Sequence, residues 1–242
     1  VKVYLANLSS VYKDFRAKLD KKLFVLESFY YVKPWMYKNI ETKWDFLLDS
    51  GAFTFMVNAS KSVDWDEYVS EYAAFINKHN VKHFFELDID NVVGLKEVER
   101  LRTKVEILTK KKCIPVWHKS RGKQYWIDMT KEYDYVAIGG IVSGEIKKNE
   151  YKYFTWLLNE AKKNNCKVHG LGFTNLKGLE KYKFYSVDST SWLCGNISGS
   201  IYRFNGSSLT TSKSTGRLKP KLARENNLNE WIKFQRYAEH NL

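Results

Sequence analysis

Residues 84–118 read FFELDIDNVVGLKEVERLRTKVEILTKKKCIPVWH. An apolar run ends in acids at Asp88 and Asp90, a stretch of helical periodicity follows from Gly94 to Lys111, and a second apolar run ends at His118. Within the helical stretch Leu95, Val98, Leu101, Val105 and Leu108 recur three or four residues apart and are expected to face inward, with basic residues gathering at the end where the helix dipole favours them. Runs without polar alternation are buried on both faces, and a helix between two of them predicts parallel pairing with a right-handed crossover.

The same unit recurs in both directions. Candidate strands cover 3–8, 23–28, 46–49, 84–88, 114–118, 135–139, 168–171 and 185–188. A helix is expected after Asp64-Trp65-Asp66-Glu67, with Tyr68, Tyr72, Phe75 and Ile76 as its apolar stripe, and another over 150–165 with Phe154, Leu157, Leu158 and Ala161. Eight strands alternating with helices in 242 residues match a single α/β domain, a (β/α)8 TIM barrel, with an open doubly wound sheet as the alternative. The barrel is expected over 1–200, with a basic loop and a C-terminal helix over 201–242.

A chain 44% hydrophobic and 28% charged, with three prolines and thirteen glycines, is neither disordered, collagen-like nor low-complexity. Three dispersed cysteines, Cys113, Cys166 and Cys194, form neither a disulfide framework nor a metal knuckle. With no apolar run of membrane-spanning length and no signal-like start, a cytoplasmic protein is expected. Forty Lys+Arg against 27 Asp+Glu give a net charge of +13, which suits either a polyanionic partner or a solubilising surface. The excess is partly concentrated after the eighth strand, where Arg203, Lys213, Arg217, Lys219, Lys221 and Arg224 occur without an acid. That segment reads as a flexible loop or as an arm that contacts phosphates.

In α/β barrels the reacting groups stand at the carboxyl ends of the strands. Here those ends bear Asp49, Asp88, His118, Gly139 with Gly140, His169 with Gly170, and Asp188. A single such Asp is commonly a helix cap; six successive ends bearing acid, histidine or glycine make a constellation. A metal site is not expected: His118 and His169 lack helical ligand spacing, and Asp88-x-Asp90 is no calcium loop because Val93 stands where glycine is required. Carboxylates on several strands also suit nucleophilic and acid–base work at a glycosidic carbon, with neighbouring glycines admitting a flat ligand. Gly170-Leu171-Gly172 lacks the third glycine of a dinucleotide fingerprint and no phosphate-loop lysine motif occurs, which argues against nicotinamide or ATP chemistry.

These motifs resemble the tRNA-guanine transglycosylase superfamily. Asp49-Ser50-Gly51-Ala52-Phe53 is similar to its D-S-G-G-F-Q motif, residues 138–145 (IGGIVSGE) to its G-G-L-A-V-G-E segment, and His169-Gly170-Leu171-Gly172 to the M-G-V-G strand. Asp188 stands at the position of the family nucleophile, and the order along the chain agrees from about 46 to 192. The resemblance implies replacement of guanine by a 7-deazaguanine through a covalent aspartyl-sugar intermediate, with Asp188 as nucleophile and Asp49 as proton carrier. It implies a base site of Asp88, His118, Gly139, Gly140, Glu145, His169 and Gly170, where His118 replaces a family glutamine.

Two departures sharpen this. The zinc motif of the tRNA enzymes is represented by Cys194 alone, so no zinc or other cofactor is expected, and the chain is much shorter. Both features resemble the DNA-acting branch of phages and bacteria, which implies DNA as partner and substrate, with tRNA or a non-catalytic nucleic-acid-binding barrel as alternatives. Arg203, Lys213, Arg217, Lys219 and Lys221 would contact the backbone, and Phe53, Trp117 and Trp192 are candidates for stacking on bases.

Overall fold

The computed structural model of the chain describes residues 1–51, 63–196, 200–213 and 219–242. Eight parallel strands appear where the apolar runs predict them: β1 (Lys2–Ala6), β2 (Phe24–Ser28), β3 (Asp45–Asp49), β4 (His83–Phe84), β5 (Val116–Trp117), β6 (Tyr135–Ile138), β7 (Lys167–Gly170) and β8 (Ser186–Ser189). Hydrogen-bonded neighbours run β4, β3, β2, β1, β8, β7, β6, β5. The two outer members are joined by a parallel bridge between Phe85 and Ile114, where Ile114 N donates to Phe84 O at 2.8 Å and Glu86 N to Ile114 O at 3.1 Å. The sheet therefore curls into a closed ring, the (β/α)8 arrangement rather than the open doubly wound sheet.

Around the ring lie α1 (Tyr37–Thr42), α2 (Trp65–Lys78), α3 (Asp90–Val93), α4 (Leu95–Thr109), α5 (Gly122–Glu132), α6 (Tyr153–Lys163), α7 (Leu176–Tyr182) and α8 (Pro220–Asn241). Asp64 caps α2 by accepting from the N–H groups of Asp66 and Glu67, both at 3.0 Å. On α4 the buried stripe is Val98, Leu101, Val105 and Thr109, while Leu108, expected to face inward, is exposed. The stripe follows the 3.6-residue period to 109, where Thr109 turns its hydroxyl onto the Val105 carbonyl at 2.7 Å.

Strand parity sorts the side chains. Tyr4, Ala6, Phe24, Leu26, Leu47, Phe85, Ile114, Val116, Tyr135 and Ala137 fill the barrel, and their neighbours along the strands pack outward against the helices. The same parity turns Asp49, His118, Gly139 and Asp188 toward the barrel axis at its carboxyl end.

Residues expected to form a flexible basic loop instead make an antiparallel hairpin of β9 (Ser200–Phe204) and β10 (Leu209–Lys213). Asn205-Gly206, a turn dipeptide, explains it: Gly206 takes a φ of +103°, and Asn205 Oδ1 accepts from Ser207 N at 3.1 Å and Ser208 N at 2.8 Å. Tyr202 and Phe204 then pack on Trp231, Phe234 and Tyr237 of α8. Helix α8 also bonds to the strands of the ring. The buried Gln235 donates to Val3 O and Phe24 O, both at 2.8 Å, and accepts from Phe24 N at 3.2 Å. These backbone groups lie beside the paired stretch of β1 and β2, which runs through Leu5–Val25 and Ala6–Leu26. Among the described residues no helix is long and apolar enough to cross a membrane.

Candidate active site

Asp188, on β8, is 8% exposed and held from one side. Its Oδ1 accepts from Gly172 N at 2.6 Å and from His169 Nε2 at 3.2 Å, which leaves Oδ2 as the oxygen turned to a ligand. Gly172 has a φ of +66°, so the turn after β7 that aims this amide favours glycine. His169 is fully buried below the mouth and lies behind the nucleophile candidate rather than in a base site. Gly170 also departs from its expected role: it faces the outer layer, where a Cβ would meet Phe173 and Phe184 at 3.1 Å.

Asp49 ends β3. Removal from bulk water pushes its carboxyl up to about 6, with Asp88 and Asp188 adding repulsion and the Gly51 amide, donating to Oδ2 at 3.0 Å, opposing it. Gly51 is left-handed at φ +80°, and a Cβ there would press on Ser28 Oγ at 2.9 Å and Tyr68 Oη at 3.0 Å. Ser28 and Ser50 beside it carry buried hydroxyls with no partner among the described residues. The motif residues Ala52 and Phe53 lie outside the described residues.

A second acid here escapes the sequence reading. Glu27 on β2 is 1% exposed and accepts from Ser9 N at 2.7 Å. Burial, with a contribution from Asp49, raises it to about 7 against those backbone donors. Its position one residue before the end of a predicted strand was the available signal, masked by the apolar run around it.

Across the mouth His118 joins two carboxylates, with Nε2 at 2.8 Å from Asp88 Oδ1 and Nδ1 at 2.9 Å from Glu145 Oε2. Burial alone would lower its pKa; hydrogen bonds and charge from Asp88 and Glu145 outweigh it and raise the imidazole to about 9. Glu145 is fixed further by Ser120 N at 2.9 Å. The glycine pair makes room for this network. A Cβ on Gly139 would lie 2.7 Å from His118 Cε1, and one on Gly140, at φ +76°, 2.6 Å from Glu145 Oε2. Along the pair's backbone, the Gly139 N–H is given to Trp117 O at 2.9 Å, and Gly140 O receives Ile146 N at 3.0 Å.

The raised His118 value is a statement about stability. A cation whose folded-state pKa exceeds the ordinary 6.5 stabilises fully below pH 6.5, and the contribution disappears as pH rises through about 9. The loss is on the order of 2–3 kcal/mol. Urea midpoints taken on both sides of that window are expected to show it in the wild type and not in His118→Ala. A wild type with no pH dependence there excludes the charged network.

Behind this edge Glu86 is buried between Arg121 at 2.9 Å and Arg102 at 3.1 Å, and Arg121 also holds Asp90 at 2.7 Å. Such a pair, stripped of one partner, strands a charge in low dielectric, so its role is to fix the loops after β4 and β5. Ligand atoms of Asp88, Asp90 and His118 lie within 4.8 Å of one another. Two carboxylates and an imidazole suit a divalent cation, but Asp90 is engaged by a guanidinium and His118 by both neighbouring acids, so a metal would have to displace an arginine and a proton. A cavity of about 420 Å³ opens beside this edge, bounded by Asp90, Asn91, His118, Ser143 and Glu145.

The barrel thus gathers Asp49, Asp88, His118, Gly139, Gly140, Glu145 and Asp188 at one mouth, with His169 beneath. The basic candidates scatter. Lys219 precedes α8, and Lys221 there pairs with Asp14. Arg224 reaches Ser10 O at 3.1 Å, which brings this helix end to the mouth side of β1. Arg203 is exposed on the hairpin, Lys213 ends it, and Arg217 lies outside the described residues. Trp117 and Trp192, candidates for stacking, are core residues whose indole N–H groups bond Gly122 O and Ala6 O. Exposed aromatic surface at this end comes instead from Tyr30 and Tyr31 after β2, 55% and 45% exposed. The chain matches none of the protein-family models and none of the curated proteins with which it was compared.

Proposed function

We propose that this chain is a base-exchanging transglycosylase that replaces guanine with a 7-deazaguanine derivative in DNA. The observation that carries the reading is the unequal pair of acids at the mouth, Asp188 held by two donors on one oxygen and Asp49 raised to about 6, beside the hydrogen-bonding edge of Asp88, His118 and Glu145. The sequence resemblance to the transglycosylase superfamily supports the same assignment of roles.

In the first half of the reaction Asp188 Oδ2 attacks C1′, and the C1′–N9 bond breaks with its electron pair passing to guanine. The departing base takes its proton from Asp49. In the second half the incoming 7-deazaguanine gives its N9 proton to Asp49, N9 bonds to C1′, and the ester bond to Asp188 breaks to restore the carboxylate. A carboxyl near 6 carries the proton in both directions close to neutral pH. The Asp88 carboxylate accepts from the base N1–H and exocyclic amine, and His118 donates to its carbonyl, in exchange for the bond these residues make to each other.

Reaching C1′ requires extruding the nucleotide, at roughly a few kcal/mol. Tyr30 and Tyr31 offer stacking surface to offset this, and Lys219 and Arg224 offer phosphate contacts. Incubation with guanine-containing DNA and, in parallel, tRNA, each with labelled guanine, is expected to label the DNA. Label entering tRNA alone moves the substrate to RNA. Salt-sensitive binding to both without label in either would leave a nucleic-acid-binding barrel in place of the enzyme.

A further inference from the structure

Beneath Asp188 a line of polar groups descends into a barrel otherwise filled with apolar side chains. His169 Nε2 meets Asp188 Oδ1 at 3.2 Å, His169 Nδ1 meets Ser186 Oγ at 2.6 Å, and Ser186 Oγ meets Tyr135 Oη at 2.5 Å. His169 and Ser186 are wholly buried, and the rings of Tyr4 and Phe85 stand edge-on to the imidazole at 6.0 and 5.4 Å. Three side chains on β6, β7 and β8 are thereby tied to the oxygen of Asp188 that faces away from the mouth.

We propose that His169 is the positioning residue of the nucleophile, and that Tyr135, Ser186 and His169 form a one-way donor chain ending on Asp188. The proposal rests on the transglycosylase reading for its kinetic consequence. The direction follows from hydrogen counting. An ionised carboxylate only accepts, so the hydrogen in the His169–Asp188 bond is on Nε2. With a single hydrogen on the ring, as the proposed chain requires, Nδ1 accepts and Ser186 donates to it. The serine hydroxyl has one hydrogen, so Tyr135 donates to Ser186. Each bond polarises the next toward Asp188. With Gly172 N as second donor on Oδ1, the carboxylate plane is fixed and Oδ2 is aimed at the mouth. The Asp–His–Ser set is no hydrolytic triad, because Ser186 is sealed from any ligand and holds Tyr135.

Attack converts Oδ1 from a carboxylate oxygen into an ester carbonyl that still accepts both hydrogen bonds. Loss of the imidazole donor therefore costs aim rather than substrate affinity. The test uses the full chain with a guanine-containing DNA oligonucleotide and labelled guanine, in wild type, His169→Phe, His169→Gln and Ser186→Ala. His169→Phe is expected to lower kcat about 10²-fold with KM changed less than about twofold. His169→Gln, which places an amide N–H near the lost Nε2–H, is expected to recover most of that rate and also serves if the Phe variant does not fold. A structural role alone would leave kcat of the folded variants near wild type and move only Tm. In the wild type, nitrogen-15 NMR of the imidazole is expected to show hydrogen on Nε2 and a bare Nδ1. Undiminished kcat in the folded Phe variant, a Gln variant no better than Phe, or a hydrogen on Nδ1 overturns the positioning role while the transglycosylase reading stands. Absence of exchange by the wild type, on DNA and tRNA alike, overturns both.

Discussion

Asp188→Asn is expected to abolish guanine exchange, by about 10⁴-fold or more. Asparagine keeps the size of the side chain and an oxygen in the place of Oδ1, so the bonds from Gly172 N and His169 Nε2 survive and the loop after β7 stays put. What disappears is the anionic oxygen that forms the bond to C1′. The variant is therefore expected to fold with wild-type Tm, to bind DNA, and to form no protein–DNA adduct that resists denaturation. Labelled-guanine incorporation and denaturing gels check the two halves of this expectation. Wild-type exchange by Asp188→Asn would remove the nucleophile from the mechanism.

Asp49→Asn carries the second-largest effect, a loss of about 10²–10⁴-fold as expected for a proton carrier. The pH dependence divides it into half-reactions. Below about 6 the carboxyl is protonated and can serve guanine as it leaves; above about 6 it is ionised and can receive the proton of the incoming base. Adduct formation in a single turnover is thus expected to slow as pH rises through about 6, and adduct resolution to slow as pH falls through it. Asp49→Asn is expected to erase both limbs. The stability sign is opposite to the kinetic one. A half-buried acid whose folded value lies above the ordinary 3.8 destabilises the native state progressively as pH rises from 3.8 to about 6 and fully above that. The inactive Asn variant is therefore expected to melt at a higher temperature than the wild type at neutral pH, as is common where function holds an acid in an unfavourable place.

The ring of strands was readable because runs buried on both faces lose their polar alternation, and six of the eight runs stopped at or beside an acid, a histidine or a glycine. Ring closure was not readable. The contact of Phe85 with Ile114 and the pairing of β1 with β8 depend on strand tilt around the whole barrel, which no local pattern contains. At the site, position at the carboxyl ends of strands made Asp49, His118 and Asp188 visible, and the loop motif made Glu145 visible. Glu27 was hidden because one acid inside an apolar run resembles a strand end. The glycine pair was visible as a motif, while the room its small size makes for His118 and Glu145 was not. The hairpin was masked by Ser and Thr content, although Asn205-Gly206 announces its turn.

Gln235 bonds to backbone groups of Phe24 and Val3 that precede it by 211 and 232 residues. On the ribosome, β1 and β2 therefore emerge long before the amide that completes their seam. The barrel is a structure of long sequence separations whose last bonds must wait for nearly the whole described chain to be translated. Until then the amino end of β1 and β2 presents open main-chain donors and acceptors, which makes that seam the place where a nascent chain is most exposed to mispairing.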